Sequence, residues 1–443
     1  MRRPGQTVSE EADASSRSPR APVAGLLLVF SSGGPQLRPA AVLAGGLELQ
    51  RASFGGKPLA DERISSRHAR VSFDGTRWTV EDLESRNGTF VDGERVKGEA
   101  SFGDPRVVRV GRSLFLPVAD VRRFADASVD AKGDAVLGPT TRMAWAEIDR
   151  AARFGEVLLL SGESGAGKEL AARAFHSLGP RAKGPFIAVN CAAIPQGLAE
   201  RLLFGARRGA YSGATADAEG YVQAADGGTL FLDEVADLDA QVQAKLLRTL
   251  ETKEVLPLGA SKPRAVDVRV CSATRDLRAE VAGGRFREDL YFRIGQPEVR
   301  IPPLRERREE IPWLLGRELS GLSVNVSLVE ACLSRPWPGN VRELLSEARR
   351  VASRARAAGR GSVGAEDLSP TAGVDFVRGD GSSSAPGATP DPAAIERALE
   401  EHKGNVTRAA QALGMHRNQL RRWLARRGSA ATVAVADGEP EGD

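Results

Sequence analysis

The sequence predicts a multidomain chain: a β-sandwich, then an α/β core with a helical lid, then a small all-α unit. Three observations carry this. Short alternating runs broken by Gly, Asp and Asn fill residues 23–120. Apolar strands alternate with helical stretches over 125–310, the pattern of a parallel sheet with helices on both faces. Residues 311–368 read as helices only, and helical periodicity returns over 391–428.

Bulk properties agree with this division. A chain of 443 residues has room for about two to four domains. Its 41% apolar and 27% charged content is that of soluble globular protein. No apolar run approaches the roughly 18 residues of a membrane span, and Gly25–Phe30 is only strand-length. The two N-terminal arginines lack the apolar stretch of a secretory signal. Cys191, Cys271 and Cys332 have no paired spacing for zinc or disulfides, so a reducing cytoplasm and no membrane are expected. The net charge of +4 is small for this length, and its distribution says more than its size.

The elements follow in order. Residues 1–22, rich in Ser, Pro, Arg and Ala, read as a disordered tail. Ala69–Phe73, Trp78–Val80 and Thr89–Val91 read as strands, the last entering a hairpin turn at Asp92-Gly93. Val157–Leu160 is a strand that runs into the Gly-rich stretch Gly162, Glu163, Ser164, Gly165, Ala166, Gly167, Lys168 and then a helix. Glycines there let backbone N–H groups wrap a phosphate, and Lys168 adds a point charge. By itself such a stretch is also compatible with a plain tight turn. Gly227–Glu234 is a second, short apolar strand, ending in Asp233 and Glu234. One acid suits a magnesium ion and the other an attacking water. Together they point to ATP and Mg2+. Between these two strands lies a Gly-bounded insert with an aromatic at its tip: Gly209, Ala210, Tyr211, Ser212, Gly213, Ala214. Residues 369–390 form a Gly/Ser/Pro linker and 429–443 an acidic tail. From 391 to 428, eight Lys/Arg stand against four Asp/Glu, the basic ones crowded at the end.

The order phosphate loop, insert, acidic strand resembles the central domain of the sigma-54-dependent transcription activators, a branch of the AAA+ ATPases. In that family the insert is usually Gly-Ala-Phe-Thr-Gly-Ala and touches the sigma factor. The family also has Glu after the loop lysine, as Glu169 here, so Mg2+ would depend mainly on Asp233. The resemblance implies that Asn190 hydrogen-bonds the catalytic Glu234 and relays nucleotide state. It implies that Arg287 and Arg293 are arginine fingers supplied to a neighbouring subunit, Thr274 a sensor, and Arg342 a lid residue sensing nucleotide. Surface charge is the plain alternative for the three arginines. Fingers acting in trans imply a homo-oligomeric ring, a hexamer, with a dimer as the inactive form. This chain departs from the family at Tyr211 and Ser212, at Leu202 where Glu is common, and after Thr274, where the usual Asn is missing.

Arg51, Ile64–His68 and Ser85–Thr89 resemble a forkhead-associated (FHA) domain, a sandwich that binds phosphothreonine peptides. Arg51 and Arg67 suit a phosphate, Ser65 adds a hydroxyl and Asn87 would hold peptide backbone. His68 reads better as a brace between loops. A sandwich used only for packing is the alternative. Gly404–Gly414 followed by Met415–Leu424 resembles the Fis-type helix-turn-helix, which would bind enhancer DNA. Gly414 makes the turn, and Ala409, Ala410, Leu413, Leu420, Trp423 and Leu424 form the core. Arg417, Asn418 and Arg421 would face bases, and Arg422, Arg426 and Arg427 phosphates.

The expected function is an ATP-hydrolysing activator that remodels sigma-54 RNA polymerase at promoters under control of a phosphothreonine-reading domain. Two rivals stand beside it. One is a DNA-binding regulator with a vestigial ATPase that does not act through sigma-54. The other is a phosphopeptide scaffold without a role in transcription.

Overall fold

Every residue of the first strand is buried, and that single strand joins two parts of the molecule. In the computed structural model the described residues are 21–125, 128–131, 133, 135–195, 197–375, 392–402 and 409. Residues 1–374 form one unit and 375–443 another.

The sandwich has ten strands. They are β1 (Gly25–Ser31), β2 (Gly34–Ala41), β3 (Leu47–Leu49), β4 (Ala69–Phe73), β5 (Trp78–Asp82), β6 (Thr89–Val91), β7 (Glu94–Arg95), β8 (Glu99–Phe102), β9 (Val108–Val110) and β10 (Ser113–Val118). Six of them form a sheet in the order β2-β1-β10-β9-β6-β7, and four form another in the order β3-β4-β5-β8. Successive side chains point to opposite faces. Leu26, Leu28, Phe115, Val108 and Val110 therefore meet Leu49, Val71 and Val80 between the sheets. Phe54 closes this core edge-on against Phe115, ring centroids 5.0 Å apart. The expected hairpin is present: Asp92 and Gly93 both adopt positive φ between β6 and β7.

The α/β core begins with α1 (Pro139–Phe154), β11 (Val157–Ser161), α2 (Lys168–Ser177), β12 (Phe186–Asn190), α3 (Ala199–Phe204), α4 (Tyr221–Ala224), β13 (Thr229–Asp233) and α5 (Ala240–Thr252). After a small ribbon, β14 (Glu254–Val255) with β15 (Arg264–Ala265), come β16 (Arg269–Thr274), α6 (Leu277–Ala282), α7 (Glu288–Ile294) and β17 (Glu298–Arg300). The sheet order is β12-β13-β16-β11-β17, and every pair is parallel. Register brings Ser161 beside Thr274 and Asn190 beside Asp233. One edge of the sheet therefore collects the phosphate loop and both acids, as sites at the carboxyl ends of parallel strands require. Asp239 starts α5 by accepting from the backbone N–H groups of Gln241 and Val242.

The lid comprises α8 (Ile311–Glu318), α9 (Val326–Ser334) and α10 (Asn340–Ala357). It is not purely helical, as its sequence suggested: β18 (Ser323–Val324) pairs in parallel with β19 (Ser362–Val363). Two-residue strands carry too little periodicity to stand out between helices. In the second unit, α11 (Pro392–Glu401) buries Ile395 and Ala398. Residues 369–375, expected to begin the linker, instead pack on the lid, where the Ser369 and Gly373 N–H groups donate to Glu347 and Glu343. Residues 376–390 and the expected DNA-contacting residues Arg417, Asn418, Arg421 and Arg422 lie outside the described residues. Among the described residues no helix is long and apolar enough to cross a membrane.

Candidate functional site

The turn from β11 into α2 makes the centre of the site. Gly162, Gly165 and Gly167 all have positive φ, a backbone that side-chain-bearing residues resist. The Gly162 N–H donates to the Thr274 carbonyl (3.2 Å), which ties the loop to the neighbouring strand. Lys168, almost fully buried, folds back and donates to the Gly162 carbonyl at 2.9 Å. Its ammonium also stands 3.5 Å from Glu234 Oε1. Ser164, Gly165, Gly167, Lys168 and Glu169 line a cleft of about 360 Å3, faced by Asn190, Asp233, Glu234 and Arg342. The strands and the lid thus converge on one cavity that holds a cation, two acids and the glycines of the phosphate loop.

The two acids differ in their surroundings. Asp233 Oδ1 is buried with no hydrogen-bond partner, an arrangement that costs stability unless something binds there. A hard cation with oxygen ligands fits that orphaned atom. Glu169, at the start of α2, is largely exposed and accepts from Arg173 at 2.8 Å. Glu234 sits at φ 51° just past the strand end, which turns its carboxylate away from Asp233's line and toward Lys168. The Cys191 thiol, buried next to Asn190, is pushed up to about 12 by burial and by the charge of Asp233; it stays neutral and is no nucleophile.

Asn190 Oδ1 accepts from the Ala192 N–H (3.0 Å) and caps a short turn, which leaves its Nδ2 as the donor for the bond expected to Glu234; that bond is not made in this structure. The residue lines the cleft, but its oxygen is engaged locally. Thr274 meets the phosphate loop through its backbone and is not among the cleft's lining residues. Arg275 and Asp276, directly after it, line a second cavity of about 340 Å3 with Gly162, Glu163 and Arg300. Arg287 is paired with Asp289 (2.6 Å) and Arg293 donates to the Leu250 carbonyl (2.8 Å). Both belong to the α7 region, and neither lines the cleft of its own chain.

Sequence reasoning missed the struts that hold the loop from the lid side. Glu163 is gripped by Arg305 through two bonds (2.7 and 2.8 Å) and by Asn340 (3.1 Å). The Arg305 guanidinium, with the Asn340 bond, pulls the Glu163 carboxyl down to about 2. Asn340 also donates to the Ser164 carbonyl (3.0 Å), and Arg342 to the Ser164 hydroxyl (3.1 Å). Arg307, buried against Glu310, donates to the Ala166 carbonyl. The available signal was the charged run Arg305–Glu310 between apolar Ile301 and Ile311.

The insert is a closed loop. Ala206 pairs with Ala218 at its base. Gly205 and Gly220 pass so closely that a Cβ on Gly220 would stand 2.3 Å from the Gly205 nitrogen. Arg207 pairs with Asp217, and the Gly209 N–H donates to the Ala214 carbonyl (2.9 Å). Tyr211, 39% exposed at the tip, receives a hydrogen bond from Arg201 of α3 at its hydroxyl (2.7 Å). Ala210, Ser212 and Gly213 complete the tip.

On the sandwich, the phosphopeptide candidates lie on two loops, and Arg51 and Ser65 are bonded to each other. The Arg51 N–H donates to the Ser65 carbonyl (3.2 Å) and its Nε to the Ile64 carbonyl (2.9 Å). Asn87 donates to the Arg63 carbonyl (2.7 Å), and Ser65 Oγ accepts from the Arg86 N–H (3.4 Å). Arg67 is 61% exposed and holds Glu48 at 3.0 Å. His68 is fully buried as the brace expected: Nδ1 accepts from the Ser65 N–H (3.0 Å) while Nε2 donates to the Gly88 carbonyl (3.1 Å).

Comparison with known proteins agrees with each part. Residues 138–300 match the family described as the sigma-54 interaction domain, 57–121 the FHA domain and 392–426 the Fis family of bacterial regulatory proteins. The chain is 41% identical over 347 residues to the response regulator PilR of Pseudomonas aeruginosa, covering 72% of this chain and 76% of that one. It is 38% identical over 357 residues to the DNA-binding transcriptional regulator NtrC of a Bradyrhizobium species, covering 71% and 74%. The crystal structure of Brucella abortus NtrX in complex with ATP is similar with a TM-score of 0.50 and 30% identity, over 70% of this chain and 72% of that one.

Proposed function

This chain belongs to the sigma-54-dependent, DNA-binding transcriptional activators with an AAA+ domain, and we propose that it hydrolyses ATP to remodel sigma-54 RNA polymerase at promoters. The observation that supports this most is the juxtaposition of Lys168, Asp233 and Glu234 in one cleft with the Tyr211 loop inserted between their strands. Backbone N–H groups of Gly165 to Lys168 bind the β- and γ-phosphates at the start of α2. Glu234 orients the attacking water once a γ-phosphate draws Lys168 away from it. Asp233 would hold Mg2+, which neutralises charge on the phosphates. Arg287 and Arg293, which do not line their own cleft, serve a neighbouring copy in a hexameric ring, with a dimer as the resting form. Arg342 reads nucleotide from the lid through Ser164. Tyr211 transmits the change to sigma-54. Phosphothreonine on a partner protein, bound by Arg51, Ser65, Arg67 and Asn87, regulates the ring. Arg417, Asn418, Arg421 and Arg422 hold enhancer DNA. The three free, buried thiols suit the cytoplasm.

A second reading, a DNA-binding regulator with a silent ATPase, is favoured by one feature: Thr274 does not line the cleft. ATP-dependent open-complex formation by sigma-54 polymerase separates the two. Opening that disappears in Glu234→Gln while ATP binding persists is the expected result. Hydrolysis at the normal rate in that variant would refute Glu234 as the catalytic group. Neither hydrolysis nor opening in the unmodified chain would establish the second reading.

A further inference from the structure

We propose that the sandwich rides on the lid as one body with it, and that nucleotide in the cleft is thereby coupled to the sandwich. The inference rests on the nucleotide reading above. Its first support is a continuous core. Leu27, Val29, Leu114 and Leu116, on the outer face of the six-stranded sheet, pack in one cluster with Leu314 and Val329 of the lid. Domains within a chain move freely unless their interface is large and apolar. This one is apolar and keyed by charge. Arg109, stacked 3.7 Å over the Phe90 ring, reaches Glu330 of α9 at 2.7 Å, with both side chains largely buried. Arg106 donates to the Ser334 carbonyl at the end of the same helix.

The second support is the hinge between core and lid. Arg307 and Arg308 are consecutive and point in opposite directions. Arg307 donates to the Ala166 carbonyl of the phosphate loop, and Arg308 to the Arg106 carbonyl of the sandwich (2.9 Å). Two residues therefore bridge the phosphate loop and the β8–β9 loop of the sandwich. On the other side of the hinge, Asn340 and Arg342 tie Ser164 to α10. A shift of the phosphate loop cannot leave the lid in place, and the lid cannot shift without the sandwich. By reciprocity, a ligand of the sandwich whose affinity changes with nucleotide alters nucleotide affinity by the same factor.

Hydrogen exchange on the full chain, with and without ATPγS and Mg2+, tests this. Opening of β1 and β10 requires separation from the lid, so nucleotide that stabilises the lid slows their exchange. The expected result is slowing of about fivefold or more in residues 25–31 and 106–118 as well as in 162–168. In the double variant Arg308→Ala, Glu330→Ala the slowing at 162–168 persists and that in the sandwich shrinks below about twofold. Slowing that stops at the lid in the unmodified chain overturns the coupling alone. An undiminished sandwich response in the double variant overturns the polar ties as its route. No slowing at 162–168 overturns the nucleotide reading and this inference with it.

Discussion

His68 shows how much one side chain can decide. Its Nδ1 can accept from Ser65 only when the ring is neutral, so protonation breaks the brace between the Ser65 and Gly88 loops of the sandwich. Burial pushes its pKa below the ordinary 6.5, against the opposing pull of the Gly88 carbonyl and nearby acids. In the window between that lowered value and 6.5 the unfolded chain binds more protons than the folded one. Stability contributed by His68 is therefore complete above about pH 6.5 and declines as the pH falls through the window. Urea midpoints between pH 5 and 8 should show this slope, and His68→Gln should flatten it; an equal slope in the variant would place the titration elsewhere. The brace was legible, since a His beside Ser65 and Arg67 in a loop is a poor phosphate ligand when it must be neutral. Asn190 was less so. Its position beside Asp233 follows from strand register, but which partner its amide takes depends on a turn one residue later.

At the scale of the element, the phosphate loop and the insert illustrate two uses of close approach. A Cβ on Gly165 would lie 2.3 Å from the Gly339 carbonyl oxygen, and the residue already has φ +75°. Gly165→Ala should cost about 1–3 kcal/mol and push α10 off the loop. Thermal melting and binding of a fluorescent ADP would both register it, and normal ADP affinity would argue against the lid contact. In the insert, Tyr211→Phe removes only the bond to Arg201 and keeps the ring. ATP hydrolysis should be unchanged, while the loop, left with only the Arg201 guanidinium over its ring (5.1 Å), becomes more open to limited proteolysis. Tyr211→Ala should in addition abolish transcription activation, and an unchanged transcript yield would refute the loop's role. The loop itself was readable from its flanking glycines. The Arg201 latch was not, because it joins residues on different elements whose separation only the fold sets.

For the whole molecule, β1 is the informative strand. Leu27 faces the lid and Leu26 the sandwich core, so one strand serves two cores. Leu27→Ala should cost about 2–5 kcal/mol and lower the melting of lid and sandwich together; loss confined to the sandwich would mean that the two are independent. A continuous apolar run in a strand signals burial on both faces, and Gly25–Phe30 carried that signal. By itself the sequence determined the order of the three parts, the phosphate loop, the paired acids, the insert and the loop cluster on the sandwich. These are local patterns, in which spacing along the chain fixes backbone shape or places charges within one element. Only the tertiary structure decided that Thr274 turns its backbone to the loop and that Glu163 is held by Arg305 and Asn340. The same holds for Arg307 and Arg308 reaching to opposite sides of the hinge. Such contacts join residues up to about two hundred positions apart, and their geometry comes from the packing of whole elements, which no local pattern encodes.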